Sequence, residues 1–427
     1  MDFEIVHPGK RLAVWLLFFL ATAAHLALTT TQFFAALFSE IPRASYQRKA
    51  IKLDPLNAEY RDSMGRFELL VQQSPTNALP WLHAATALNP GRSEYWLDRA
   101  VAEHLVGDSG NERNSLDKVR AANPHSSDVA WQIGNLYLSQ GALEPAFREY
   151  RRVLENNSVL TPQALEICWR VRPDIDFLLQ NVIPASADEP LLSLLVSRNH
   201  PDAAARVWDR MAALQQPVER RLLFDYLDYL FTHHYPVRAS RVWQQAATLS
   251  NLAAYQPTET NLLVNGDFRL NVLNNGFDWI YQKSSAVSLA IDPDESHSGS
   301  RSLRIEFQGP GIEDSGIRQL VSVNPDTEYA FSGYYKAAEM DGAGAPKFAI
   351  EDVYSGARLF MSDDLRDAGS WTNVNGRFTT GPETDLIVLR VARVPAGRPI
   401  RGKLWIDGLK LVKSNPVASF VSAKEQP

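Results

Sequence analysis

The spacing of apolar positions changes character once along the chain. Up to about residue 250 the apolar residues recur at helical spacing, i, i+3, i+4 and i+7. Beyond about 259 they fall in short alternating runs punctuated by Gly, Pro, Asn and Asp, which predicts β strands. The change falls at Asn261–Phe268, an apolar run stopped by the turn dipeptide Asn265-Gly266. A third pattern precedes both. Leu12–Leu28 carries no charged residue, and the uncharged stretch continues through Phe33, Phe34, Leu37 and Phe38. Twenty residues of helix span roughly 30 Å, the thickness of a bilayer's hydrocarbon core. The order is therefore multidomain, α then β. Residues 1–41 form an N-terminal tail and transmembrane helix, 42–250 a helical domain and 251–258 a linker. Residues 259–415 form an antiparallel β-sandwich, and 416–427 a disordered tail.

The helical region repeats. Leu53-Asp54-Pro55 recurs as Leu88-Asn89-Pro90 and as Ala122-Asn123-Pro124. His200-Pro201 through Trp208 recurs as Tyr235-Pro236 through Trp243. With Gly134, Tyr137, Gly141, Ala146 and Tyr150 at the close-packed positions of one unit, the region resembles the tetratricopeptide repeat. That resemblance implies an α-solenoid whose groove docks a partner protein. A spacer holding the last domain away from the membrane is the plainer alternative. The tryptophans, Trp243 among them, read as solenoid core.

Eight strands are expected in the β region: Ala286–Ile291, Ser302–Phe307, Arg318–Val323, Glu328–Ala337, Lys347–Tyr354, Thr372–Thr379, Asp385–Val394 and Lys403–Lys413. Asn265-Gly266-Asp267-Phe268, Asn275-Gly276-Phe277-Asp278-Trp279, Ser298 to Ile305, Tyr329 to Ala337, Trp371 and Leu404 to Leu411 follow in the order of one family. In that order they resemble carbohydrate-binding modules with a galactose-binding-like jelly roll. The resemblance implies glycan binding on a sheet face. Alternation puts Phe331 and Tyr335 in the core and Tyr334 and Lys336 outside. Glu351, Tyr354 and Arg390 are expected to join these two from neighbouring strands. The family also implies a structural calcium, held by one acid after the first-strand Phe and one in the closing strand. Asp407 fits the second position. Arg269 stands in the first, which leaves Asp267 or Glu306 as substitutes. No other cofactor is expected.

Composition narrows the function classes. A net charge of −6 with no Lys/Arg cluster excludes a nucleic-acid partner. Cys168 is the only cysteine, so no intrachain disulfide forms. No catalytic constellation emerges. Glu351 and Asp352, adjacent on a strand, point to opposite faces, and Asp363-Asp364 reads as a solvated loop. His233-His234 lacks a third metal ligand at suitable spacing.

Three functions stay open. One is a membrane-anchored, non-catalytic scaffold, a layout that resembles accessory proteins of bacterial exopolysaccharide or envelope-glycan assembly. The second is a protein–protein adaptor without sugar binding, and the third a secreted glycan-active enzyme. Ala21-Thr22-Ala23 has the form of a signal-peptidase site, but the apolar run outlasts it, which favours an uncleaved anchor over residues 12–31. Lys10 and Arg11 favour an N-in, C-out orientation with the bulk of the chain outside the cytoplasm. Arg43, Arg48, Lys49 and Lys52 oppose it by count.

Overall fold

The computed structural model describes residues 8–156, 159–366 and 368–414, so the tail expected at 416–427 lies outside the described residues. Among the described residues, fourteen α-helices are followed by two five-stranded antiparallel sheets. Contacts divide the chain into two compact units, Met1–Pro190 and Leu191–Pro427. The second unit gathers the last helices together with the sandwich.

The first unit opens with α1 (Pro8–Ser39), a helix of 32 residues long and apolar enough to cross a bilayer. Its leucines and phenylalanines are exposed apart from the half-buried Phe38, and Ala35 is its one buried residue. The hydroxyls of Thr22, Thr29, Thr30 and Thr31 each donate to the carbonyl four residues back, at 2.7–2.9 Å. These polar groups are thus satisfied within the helix, as a hydrocarbon surrounding requires.

Next come α2 (Ala44–Leu53), α3 (Ala58–Arg66), α4 (Pro75–Leu88), α5 (Ser93–Leu105), α6 (Ser109–Ala122), α7 (Ser127–Ser139), α8 (Leu143–Glu155), α9 (Thr161–Val171) and α10 (Ile175–Asn181). A π-helical turn, Phe67–Val71, extends α3. The recurring Asp/Asn-Pro pairs explain the rhythm. Asp54, Asn89 and Asn123 are the C-caps of α2, α4 and α6, and the proline that follows cannot continue the helix. One 34–35-residue echo therefore spans two helices. Asn57, Asp108, Ser126 and Asp174 cap α3, α6, α7 and α10 by accepting backbone N–H bonds.

Within hairpins α3 packs on α4, α5 on α6 and α7 on α8. Small residues set the approach. A Cβ on Gly65 would stand 2.5 Å from Leu82, and one on Gly134 3.1 Å from the Tyr150 ring. Ala146 is 1% exposed in the same α7–α8 contact. Ala146→Leu should therefore overpack the pair and cost about 1–3 kcal/mol, read as a fall in the denaturant midpoint of the full chain.

One buried group works against this unit. Asp62 on α3 is 4% exposed and its Oδ1 has no partner. Burial, and then the neighbouring Asp98 charge and hydrogen bond, push its pKa up to about 8. The folded state thus holds a proton that the unfolded chain releases at its ordinary carboxylate pKa. Stability is full below that value and declines as pH rises toward about 8. Asp62→Asn should remove the decline, as melts of both proteins at about pH 5 and about pH 8 will show.

The second unit contains most of α11 (Asp188–Ser197), then α12 (Pro201–Ala213), α13 (Arg220–Thr232) and α14 (Pro236–Leu249). The strands are β1 (Trp279–Tyr281), β2 (Val287–Asp292), β3 (Ser302–Gly309), β4 (Asp314–Ser322), β5 (Glu328–Gly342), β6 (Ala345–Asp352), β7 (Arg358–Met361), β8 (Thr372–Thr379), β9 (Leu386–Val394) and β10 (Ile400–Lys413). One sheet runs β1-β4-β9-β6-β7 and the other β2-β3-β10-β5-β8. All eight expected strands are present within a few residues, and β1 and β7 are additional. Between the sheets lies a core that includes Trp279, Phe331, Tyr335, Phe348, Leu389 and Leu404.

Asn261–Phe268 is not itself a regular strand. It lies against β10, with the Leu262 amide donating to the Leu411 carbonyl (2.8 Å) and the Leu409 amide to Gly266 (2.9 Å). The Asn261 side chain bonds the same strand at Leu409 and Leu411. A Cβ on Gly266 would meet the Leu409 carbonyl at 2.2 Å, so only glycine allows this approach.

The helices hold the sandwich through aromatics. Trp208 donates through its indole to Gln245 on α14. Trp243, its echo 35 residues on, faces the sandwich instead. It packs on Phe277 and donates to the Tyr255 carbonyl at 2.9 Å. Phe231 meets Phe277 edge-on at 5.2 Å. The loop before β1 thus packs on α13 and α14 through Phe277.

Candidate functional site

The five residues expected to share a glycan face lie in three places. Tyr334 and Lys336 stand on the outer face of the β2-β3-β10-β5-β8 sheet, with Phe331, Gly333 and Tyr335 turned inward. Glu351 and Arg390 stand on the outer face of the other sheet, on the far side of the core. Tyr354 belongs to neither face. Its hydroxyl donates to the Phe231 carbonyl (3.2 Å) and its ring stacks on His234 at 4.0 Å. Burial first, then the charges of Asp385 and Asp352, push its pKa up to about 12. Sequence alternation sorts in from out along one strand, but it does not say which strands share a sheet, and that is why the expected cluster comes apart.

The Tyr334 face is covered in part. The loop between β2 and β3 folds over it, with His297 stacked on Tyr334 at 3.5 Å. The Lys336 ammonium pairs with Glu295 at 2.7 Å and lies over the Trp405 ring. Asp407 pins this loop. Its buried carboxylate accepts from the amides of His297 (2.8 Å), Ser298 (2.6 Å) and Gly408 (2.6 Å), and from the Ser298 hydroxyl.

That arrangement does not fit the calcium that the resemblance implies. Both Asp407 oxygens are already taken by hydrogen-bond donors. Asp267 is paired with Arg269, a cation standing where an acid is expected. No three His, Cys, Asp or Glu side chains group as a metal site among the described residues. The donors provide what a cation would, so a chelator should leave the melting temperature of the second unit unchanged. A drop of several degrees on adding EDTA to the full chain would contradict this.

The opposite outer face is open. A groove of about 960 Å³ runs over β1, β4, β9 and β6. Two cross-strand rows run beneath it, of which Ile280, Arg318, Arg390, Leu320, Val388 and Glu351 line the groove. Ile280, Arg318, Arg390 and Ala349 stand opposite one another in one row, and Leu320, Val388, Glu351 and Arg358 in the next. Arg390 donates to Glu351 Oε2 (2.8 and 3.0 Å) and to Asp314 Oδ2 (3.0 Å). Glu351 Oε1 also faces Arg358 at 3.5 Å. Burial alone would lower the Arg390 pKa, but the bonds to Asp314 and Glu351 outweigh it and hold the pKa above its ordinary value.

Arg318 stands directly across from Arg390 and stays exposed. Like charges opposite each other on neighbouring strands destabilise a sheet. Such an arrangement points to binding rather than to stability. None of the lining residues is aromatic, so polar groups and the aliphatic patch of Ile280, Leu320 and Val388 are what this face offers. A second hollow, of about 610 Å³, adjoins it beyond the β1–β2 loop and shares Gln282–Ser285 with it.

Sequence reasoning reaches Glu351 and Arg390 but misses Asp314, Arg318 and Leu320. The pairing of Asp314 with Arg390 spans 76 residues and has no local signature. A catalytic carboxylate pair does not form at either acidic doublet. Glu351 faces the groove, while Asp352 is buried and accepts from the Tyr354 and Ser355 amides. Asp364 pairs with Lys347 and Arg366. Cys168 is fully buried, and burial pushes its thiol up to about 12.

Residues 260–395 match the CBM_4_9 family model, described as a carbohydrate binding domain. The C-terminal sandwich is CBM4-like on that match. No curated protein matches the chain. Among solved structures, a CBM4 module is 13% identical over 36% of this chain and 99% of its own, with a TM-score of 0.28. A CBM61 module in complex with β-1,4-galactotriose is 19% identical over 36% of this chain and 99% of its own, with a TM-score of 0.25. The MamA protein is 15% identical over 45% of this chain and 97% of its own, with a TM-score of 0.28.

Proposed function

We propose that this chain is a membrane-anchored, non-catalytic scaffold. Its sandwich holds a glycan in the groove floored by Arg318, Arg390, Glu351 and Leu320. Its helical hairpins, read as tetratricopeptide-like repeats, dock a partner protein. The observation that carries the glycan reading is the carbohydrate-binding family match over residues 260–395, the segment that contains the groove. Arginines and carboxylates held in fixed geometry suit the hydroxyls or acidic groups of a sugar chain, and the aliphatic patch suits its C–H face. The test is a glycan array probed with the full chain and with Arg318→Ala. Retention of specific glycans by the parent, weakened at least ten-fold in the variant, supports the reading.

A second reading, an adaptor without sugar binding, gains weight from the lack of aromatic rings among the groove's lining residues. Array silence for the parent chain would favour it.

For the anchor, the full-length chain should stay with membranes through an alkaline wash. A mature N-terminus at Ala24 would mean signal cleavage instead. The N-in, C-out orientation rests on the sugar-binding reading of the sandwich, and protease protection in sealed vesicles tests it.

A further inference from the structure

We propose that α2 is a second membrane contact, a basic helix seated on an anionic lipid headgroup layer beside the point where α1 leaves the bilayer. This rests on the anchor reading of α1.

The apolar run of α1 lasts to Phe38, and four residues, Glu40–Arg43, separate its end from α2. Even fully extended they reach no more than about 14 Å. The two helices also touch. Tyr46 packs on Phe38 at 5.7 Å, and the Lys49 ammonium lies 5.0 Å from the Tyr46 ring and 5.8 Å from Phe38.

The faces of α2 are sorted by chemistry. Gln47, Ala50 and Ile51 are buried against the helical unit. Arg48, Lys49, Lys52 and Leu53 fall at i, i+1, i+4 and i+5 on the opposite side and are exposed, as are Arg43 before the helix and Leu56 after it. Leu56 is 79% exposed. None of these four cations makes an ion pair among the described residues, although the chain carries a net charge of −6 and ion pairs are frequent elsewhere in the unit. Between Glu40 and Asp54 the four meet two acids. Unpaired cations flanked by exposed leucines match a layer with acidic phosphates outside and acyl chains beneath. A protein partner would need an acidic face at the membrane surface; the lipid supplies one wherever α1 is inserted.

The test uses the buried, unreactive Cys168, which leaves a cysteine introduced by Leu56→Cys as the labelled thiol. The full chain carrying an environment-sensitive fluorophore there is placed in nanodiscs of phosphatidylcholine alone or of phosphatidylcholine mixed with phosphatidylglycerol. A blue shift is expected in the anionic discs and not in the neutral ones, and it should be reversed by high salt. Arg48→Glu, Lys49→Glu and Lys52→Glu should each weaken it at least about five-fold, the equivalent of the roughly 1 kcal/mol that a basic residue gains near an anionic surface. Circular dichroism should be unchanged, since all three side chains are exposed. Equal shifts in both disc types, or none in either, overturn the proposal. Co-elution of the chain with the discs reads the anchor separately. A chain that enters neither disc overturns the anchor reading and this proposal with it.

Discussion

Trp243→Ala should destabilise the second unit by about 3–5 kcal/mol, the cost of deleting a large buried aromatic. Trp243 is 1% exposed and sits at the junction of three segments. Its ring packs on Phe277, and its indole N–H and carbonyl bond Tyr255 and Gln256 in the connector. The connector in turn holds the loop before β1 through the Tyr255 hydroxyl and the Asn271 carbonyl. Gly276, at φ +64°, presses against the same ring, and a Cβ there would stand 2.4 Å from it. Truncation therefore leaves a cavity and removes the donor of the part-buried Tyr255 carbonyl together. The strand signal should be lost at a lower denaturant midpoint, together with the part of the helical signal that α12–α14 of the same unit contribute. Trp243→Phe should recover part of the loss by refilling the space. A loss under about 1 kcal/mol, or a strand transition in the parent chain with no helical signal lost alongside it, would mean that α12–α14 and the sandwich are independent bodies.

This junction also marks the boundary of what was legible. The 35-residue echo from Trp208 to Trp243 is plain in the sequence, and it suggests one role for both rings. The structure gives them different neighbours, because nothing in a local repeat says where the stack ends. Expecting the helical domain to close at 250 followed the same logic, while the contacts join α12–α14 to the sandwich. Local chemistry read well. The Asp/Asn-Pro pairs became helix ends, Gly134 and Ala146 became close-packed positions, and Tyr334 and Tyr335 took opposite sides of β5.

Long-range pairing did not read. Arg390 could be picked out as exposed on its strand, but its neighbours Arg318 and Asp314 are fixed by sheet order, which single-strand alternation does not carry. The same gap put Tyr334 and Arg390 on one expected face when the core lies between them. At Asp407, the amides that satisfy the carboxylate come from residues 297, 298 and 408, so a reading by side chains alone saw a metal ligand with no metal-compatible partner.

Arg390→Ala is the decisive variant for the groove, and binding of a glycan that the parent chain retains should weaken by about 30-fold or more. The guanidinium neutralises Glu351 and Asp314 from the centre of the floor. Removing it leaves two part-buried carboxylates facing each other's charge and takes away the donors that fix their orientation. Truncating one partner of such a hydrogen-bonded network costs about 2–5 kcal/mol in binding, which is the origin of the fold-change. Arg390→Lys keeps the charge but not the fork that bonds both acids, so it should recover only a small part. Tyr334→Ala, on the opposite outer face, should leave retention on the same array within about two-fold if the groove is the site, since it removes no group there. The reverse outcome, loss with Tyr334→Ala and retention with Arg390→Ala, would move the glycan to the sheet covered by His297. Thermal melts of each variant separate lost binding from lost fold. Arg390→Ala should fall by no more than a few degrees, because the acids it leaves behind can reach water through the open groove.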